Sequence, residues 1–230
     1  MNNWDLLWQH LRRGFSDNDY RSGVRVKNAD FQPTQVTIDG ESYDFGVAAD
    51  GYRSKHKERL VDGTAEFVGY VAWRGSFPFS QAEKHLDDPA YFSRKKAWST
   101  VVFPIGHALF YLIPGPDPTE DYLNWSMYTP VPPGMNPDHP ATVHPGCTTK
   151  QQMAYLYEMA EAPLPQFFKT LVCNAAQDNI SIHPVFDESL NRYVNDKSQM
   201  LLMGDAGSVL RPHTGAGAGA KSAPRGILTP

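Results

Sequence analysis

The sequence predicts a mixed α/β (α+β) fold built around a mostly antiparallel sheet, and three observations predict it. Residues 23–48 alternate apolar with polar side chains. Aromatic and β-branched runs bounded by Gly, Pro and Asp recur through 67–128. Stretches of helical periodicity stand at the start of the chain and in its second half.

The elements follow in order. Trp4, Leu7, Trp8 and Leu11 recur at i, i+3, i+4 and i+7 behind Asn3, which is placed to cap, so 4–13 reads as an amphipathic helix. Residues 23–31 and 34–38 read as strands, and Asp39-Gly40 is a hairpin signal before a third strand at 43–48, which together make an antiparallel meander. That strand runs into Asp50-Gly51 with a short basic segment behind it. FVGYVAWR at 67–74, then 98–103, 108–113 and 122–128, read as strands of one sheet. Proline is too frequent in 129–146 for a helix or a central strand, so this is a loop. Residues 150–160 and 166–176 read as helices, and 179–186 and 199–203 as strands.

Composition narrows the function. A chain of 230 residues with 41% hydrophobic content can bury a core. A net charge of -4, with both signs interspersed, offers no footprint for nucleic acid or an anionic membrane, so a small-molecule partner is expected. Cys147 and Cys173 lack CxxC spacing, which argues against a disulfide framework or a structural zinc site and suits a reducing compartment. His139, His144 and Cys147 share a Pro-rich loop without paired ligand clusters, so no metal is expected. The amino terminus has no secretory pattern and no run approaches the ~20 apolar residues of a membrane span, so a cytoplasmic protein is expected. No P-loop spacing precedes Lys221-Ser222, and no GxSxG elbow surrounds Ser208.

The segment LLMGDAGSVLRPHTGAGAGAK, 201–221, carries the most specific chemistry. A strand followed by Gly204-Asp205 puts a carboxylate at the strand's carboxyl end, where an acceptor-only group suits ribose or ribityl hydroxyls. Glycines at 215, 217 and 219 let backbone N–H groups approach a ligand, and a helix starting near Thr214 would favour negative charge there. Composition alone reads the same alternation equally as a flexible linker. The strand and the Gly-Asp turn shift the balance toward a ligand loop.

ADGYRS at 49–54 and GDAGSVLRPHTGAG at 204–217 resemble the DG and GD motifs of the FAD-dependent aromatic hydroxylases, the single-component flavoprotein monooxygenases. YVAWRG at 70–75, the RPHTGAG variant and IHPVFD at 182–187 are most similar to the 2,6-dihydroxypyridine hydroxylase branch. The resemblance implies a partial FAD-binding domain over 1–64, a substrate-binding antiparallel sheet over 65–188 and a GD-motif segment over 189–230. It implies FAD as cofactor and NAD(P)H as cosubstrate, in hydroxylation of an aromatic or N-heteroaromatic ring with O2. Asp50, Gly51, Arg53 and Ser54 would serve the pyrophosphate region, Gly204 and Asp205 the ribityl chain, Pro212 the flavin's reactive edge, and Gly215 and Gly217 its pyrimidine side.

Substrate candidates are Trp73, Arg74, His107, Tyr111 and His183; Trp73 and Arg74 are adjacent on one strand, so at most one of them can face the ring unless a bulge intervenes. No catalytic residue is assigned. The sequence departs from the family pattern in three places. Lys57 stands where the DG motif usually has its basic residue, Gly207-Ser208 loosens the turn after GDA, and no GxGxxG precedes Asp50. Without that pyrophosphate cradle, the chain alone is expected to bind FAD poorly, and to self-associate or take a Rossmann segment as partner. The alternative reading is a noncatalytic remnant retaining an aromatic-ligand surface.

Overall fold

The computed structural model describes residues 4–32, 34–57, 65–92, 98–117, 119–190, 193–194 and 199–212. Backbone contacts divide the chain into two units, Met1–Tyr20 with Gly69–Pro184, and Arg21–Val68 with Val185–Pro230. The fold class is the mixed α/β one expected, with antiparallel sheets.

The first unit opens with helix α1, Trp4–Arg12. Its Arg12 lies in the last turn, where a cation complements the helix dipole. Trp8 and Leu11 remain exposed. The main sheet has strands β5 (Glu66–Pro78), β6 (Ser99–Phe103), β7 (Gly106–Pro114), β8 (Asp121–Pro130) and β9 (Ile180–Ser189), in the order β9-β5-β8-β7-β6. The short helix α2, Phe79–Glu83, follows β5 directly. The pairs β5–β8, β8–β7 and β7–β6 are antiparallel, with Arg74 opposite Ser126 and Leu109 opposite Ser126 on its other side.

Alternation along these strands sorts the side chains onto two faces. Val71, Trp73, Phe77, Trp125, Met127, Ala108 and Phe110 form one, fully buried. They pack with Leu156 of α3 (Lys150–Glu161) and Leu171 of α4 (Gln166–Cys173) in a single apolar cluster. Each such side chain removed from water stabilises the unit by about 1.5–3 kcal/mol. Helix α3 starts at a capping box in which Thr149 Oγ1 accepts from the Gln152 N–H at 3.1 Å and Gln152 Oε1 accepts from the Thr149 N–H at 2.9 Å. Thr149→Ala removes one acceptor and is expected to cost ~1 kcal/mol, read as a lower urea midpoint at unchanged slope.

The second unit contains two small sheets. Strands β1 (Ala29–Phe31), β2 (Val36–Ile38) and β3 (Glu41–Tyr43) form the antiparallel meander, its tip Asp39-Gly40 having φ of 47° and 91°, as the hairpin signal requires. The strand expected at 23–31 begins only at Ala29. The N–H groups of Lys27 and Asn28 are taken by the Asp39 carboxylate, at 3.1 and 2.8 Å, instead of by a ladder. These two bonds also hold the Asp39 carboxyl below its usual range.

The single strand expected at 43–48 is divided. Its front end closes the meander at Tyr43, opposite Val36. Its back end, β4 (Gly46–Ala48), leaves the meander to pair in parallel with β10 (Met200–Leu202). Gly46 permits the switch, since a Cβ there would lie 3.0 Å from Met200 Sδ. Ala29, Val36, Ala48, Leu190, Met200 and Leu202 form this unit's own buried cluster. Strand β11, Ser208–Val209, pairs antiparallel with Glu188 and Ser189 at the end of β9. No helix among the described residues is long and apolar enough to cross a membrane.

Candidate functional site

Two groups of residues carry the expected chemistry, one in each unit. In the second unit, parallel pairing sets Ala48 beside Leu202, and the Met203 N–H donates to Ala48 O at 2.9 Å. The Asp50-Gly51 and Gly204-Asp205 turns therefore leave the carboxyl ends of two neighbouring parallel strands, separated by some 150 positions of sequence but adjacent in space. Gly51 and Gly204 both have positive φ, 90° and 63°, which a side chain would strain. Gly204 opens the 3-10 turn Gly204–Ala206, and this turn leaves Asp205 exposed.

Behind Asp50, a cavity of about 440 Å³ is lined by Asp50 together with Arg25, Arg53, Lys55 and His56 on its charged side, and by aliphatic groups that include Val47. The cations outnumber the single carboxylate, so the cavity favours an anion. His56 is 92% buried and its Nδ1 meets no hydrogen-bond partner among the described residues. Arg53 lies over the Tyr52 ring at 5.2 Å and stays exposed, whereas Ser54 is buried and its N–H donates to Gly51 O at 3.0 Å.

Lys57 turns the other way. Its ammonium is buried, 2.5 Å from Glu188 Oε2 and 3.1 Å from Tyr52 O, so it ties the DG turn to β9 instead of meeting a ligand. Tyr52 also stacks on Phe186 at 5.2 Å. Glu188 was not legible as a partner, because no local pattern links positions 57 and 188. Pro212 is exposed after Arg211, which pairs with Asp187 at 2.9 Å. Gly215, Gly217 and the helix expected near Thr214 lie outside the described residues.

In the first unit, the register decides between Trp73 and Arg74. Trp73 is fully buried on the packed face, where its Nε1–H donates to Thr129 Oγ1 at 2.9 Å. Trp73 therefore does not reach the opposite face, which holds Arg74. That face carries Tyr70, Ala72, Arg74 and Ser76 from β5, Asn124, Ser126 and Tyr128 from β8, and His107, Leu109 and Tyr111 from β7. His107 stacks on Tyr128 at 4.3 Å between ring centroids. His183 belongs to the same group, its ring accepting or donating at Nε2 to Ser181 Oγ at 3.0 Å.

Burial pushes the Tyr128 phenol up to about 12, against the pull of the Arg74 charge, and raises Tyr111 in the same way. Burial, with the charges of Arg74 and His144, brings His183 down to about 4. Near neutral pH the face thus presents a guanidinium, protonated phenols and an uncharged imidazole. The phenols donate, and the imidazole can accept. Tyr128 and Ser126 were not singled out from the sequence; the signal was their place opposite Ala72 and Arg74, which only the register supplies. Among the described residues no three His, Cys, Asp or Glu side chains converge.

No protein-family model matches the chain. The chain is 31% identical over 188 residues to a 2,6-dihydroxypyridine 3-monooxygenase of Paenarthrobacter nicotinovorans, covering 76% of this chain and 45% of that protein. Its fold is similar to that of 2,6-dihydroxypyridine-3-hydroxylase from Arthrobacter nicotinovorans, with a TM-score of 0.75 and 24% identity over 93% of this chain and 56% of the other. It is also similar to Klebsiella pneumoniae HpxO in complex with FAD and uric acid, with a TM-score of 0.65 and 19% identity over 92% of this chain and 49% of that one. The chain spans about half the length of the relatives it matches. The likeness to a 2,6-dihydroxypyridine 3-monooxygenase is one of sequence, and a likeness of fold to a hydroxylase of the same type accompanies it.

Proposed function

We propose that the chain supplies the substrate-binding sheet and the DG and GD turns of an FAD-dependent monooxygenase that hydroxylates an aromatic or N-heteroaromatic ring with NAD(P)H and O2. The observation that carries this reading is the parallel pairing of β4 with β10. It delivers Asp50 and Asp205 to neighbouring strand ends, where open sheets bind nucleotide cofactors.

The residues present fit that cofactor. The glycines at 51 and 204 have nothing within 4 Å of where a Cβ would stand, so a ligand can reach their backbone. Asp205 is exposed to accept from ribityl hydroxyls, and Arg25, Arg53 and Lys55 give the anion-favouring cavity its charge. Bound there, FAD would supply the redox chemistry, taking reducing equivalents from NAD(P)H and delivering one oxygen atom of O2 to the ring while the other leaves as water.

The chain's own groups hold and orient the ring. Tyr111 and Tyr128 stay protonated and donate, Arg74 offers a planar fork, and His183, in the tautomer whose Nε2–H donates to Ser181 Oγ, has Nδ1 left to accept a hydrogen bond from a ring hydroxyl. Domain limits near 1–64, 65–188 and 189–230 belong to this reading, as do Pro212, Gly215 and Gly217 beside the flavin.

A flavin titration tests it. The 230-residue chain, which carries no GxGxxG before Asp50, is expected to quench FAD fluorescence weakly. A βαβ unit bearing GxGxxG, supplied in trans, should tighten binding by about tenfold or more, ~1.4 kcal/mol. Asp205→Ala should remove that gain. Equal binding with and without the added unit, or by the variant, would defeat the proposal and leave the noncatalytic aromatic-binding reading.

A further inference from the structure

We infer that strands β5 and β9 form a joint at Gly69 and Pro184, about which the two units of the chain turn as bodies. The joint rests on backbone geometry, and only its use rests on the proposed hydroxylase reading.

The main sheet is narrowest where the chain passes from one unit to the other. Two of the three crossings, Val68–Gly69 and Pro184–Val185, lie within β5 and β9, which are neighbours in the sheet. Strand β8 pairs with β5 only from Tyr70 onward, where Tyr70 stands opposite Pro130. On the far side of β9, Val143 bridges Ile182 and β11 joins at Glu188 and Ser189, and no described strand pairs between them. Residues 66–69 and 183–187 therefore make a ribbon with no described strand on either outer side, and two strands alone are marginally stable in water. The third crossing, Tyr20–Arg21, lies in a stretch, 20–28, with neither helix nor strand.

The backbone of the ribbon suits bending. Gly69 has φ of 89°, and nothing stands within 4 Å of where its Cβ would be. An extended strand does not pass through that conformation, so Gly69 interrupts β5 at the boundary, and only glycine takes it without strain. Pro184 has no N–H to give. The Ile182 N–H donates to Val143 O at 2.9 Å, and alternation turns residue 184 to the same side, so this edge of β9 lacks a donor where a third strand would need one.

Neither core crosses the ribbon. The first unit's cluster reaches Val71 on β5 and Ile182 on β9 and stops there, and the second unit's cluster takes up at Leu190. Val185 is buried but belongs to neither. Phe186 stacks on Tyr52 and meets Phe67 edge-on, both contacts lying within the second unit. A turn at 69 and 184 thus changes a few backbone dihedrals and opens neither cluster, as hinge motions do. Under the proposed reading the DG and GD turns belong to one unit and the polar face of the main sheet to the other, so the joint would let a ring enter and leave without unfolding either.

Spin labels test this on the full chain, with the exposed Cys147 and Cys173 replaced by serine so that only introduced cysteines react. Labels at the exposed positions Asp44 and Glu158, in different units, are expected to give a broader distance distribution than labels at Glu158 and Thr100, both in the first unit. Hydrogen exchange should locate the motion: amides at 66–69, 183 and 185–187 should exchange at least about a hundredfold faster than those at 72–77, at rates that low urea leaves unchanged. Gly69→Ala should narrow or shift the cross-unit distribution, whereas Gly134→Ala, a like strain at φ of 80° in a turn of the first unit, should not. Equal widths for the two label pairs overturn the joint, and so does exchange of 66–69 at the rate of 72–77. A cross-unit distribution that both alanine variants leave unchanged puts the motion elsewhere and overturns it too. The measurements on the parent chain stand whether or not Gly69→Ala folds. No flavin or ring enters these experiments, so their failure leaves the hydroxylase reading untouched, and a failed flavin titration leaves the joint.

Discussion

Replacing Lys57 by methionine is expected to destabilise the chain by about 3–5 kcal/mol, because it leaves Glu188 as a buried charge without its partner. The two side chains are 4% and 3% exposed, and their charged atoms are 2.5 Å apart. Lys57 also donates to Tyr52 O, whereas Glu188 Oε1 is buried with no hydrogen-bond partner among the described residues to share the charge. The pair has displaced water from both groups and depends on mutual attraction to offset that desolvation. Removing one member leaves the desolvation of the other uncompensated; removing both leaves an apolar contact.

The double variant Lys57→Met/Glu188→Leu should therefore recover most of the loss, which a simple loss of packing would not allow. Urea midpoints at constant slope measure all three proteins. The solvent-exposed Arg21–Glu41 pair, also short at 2.7 Å, provides a contrast: Arg21→Gln should leave the midpoint where it is, since water solvates either charge. A Lys57→Met midpoint equal to that of Arg21→Gln would show that the interior pair is not what fixes the DG turn. If the turn does depend on it, the single variant should also lose flavin binding rescued by a βαβ unit, since Asp50, Gly51 and Arg53 precede Lys57 on the same turn.

What was legible in the sequence was whatever is fixed by neighbours along the chain. The Asp39-Gly40 hairpin, the Thr149 start of α3 and the strands from β5 to β8 follow from local turn chemistry, capping and alternation, and they lie where those signals put them. The DG and GD turns were legible as turns at strand ends for the same reason. What was not legible depends on partners far away. Residues 43–48 alternate like one strand, but Gly46 and Met200 draw the second half into a parallel pair more than 150 positions distant. Residues 24–28 have the pattern of a strand, yet no described strand pairs with them, and Asp39 takes two of their N–H groups instead. Lys57 stands at the basic position of the DG motif, and nothing local shows that it pairs with Glu188 on β9. The alternation of Trp73 and Arg74 showed that they face opposite ways; which one faces solvent was settled by Trp125 and Met127 across the ladder.

Gly75→Ala is expected to cost about 3–5 kcal/mol, more than most single methyl additions, because of what stands opposite. A Cβ at Gly75 would lie 2.4 Å from Cε2 and Nε1 of Trp125, which is the directly paired residue on β8 and is fully buried. An indole cannot bend away as a flexible chain end can, so the ring must leave its rotamer or the two strands must part. Either outcome forfeits contacts on the scale of deleting a large core side chain. One position along, Ser76 points to the other face and is exposed, so Ser76→Ala should stay within about 0.5 kcal/mol of the parent. Arg74→Gln should do the same. One strand thus separates two kinds of effect by parity: changes at 73 and 75 strike the packed face, whereas changes at 74 and 76 fall on the opposite face and leave stability nearly unchanged. Urea denaturation and the tryptophan emission maximum test this together, since displacing Trp125 into water shifts its emission to the red. Equal stability of Gly75→Ala and Ser76→Ala, with emission unchanged, would mean that the register of β5 against β8 is wrong, and the assignment of Arg74 to the open face would fall with it.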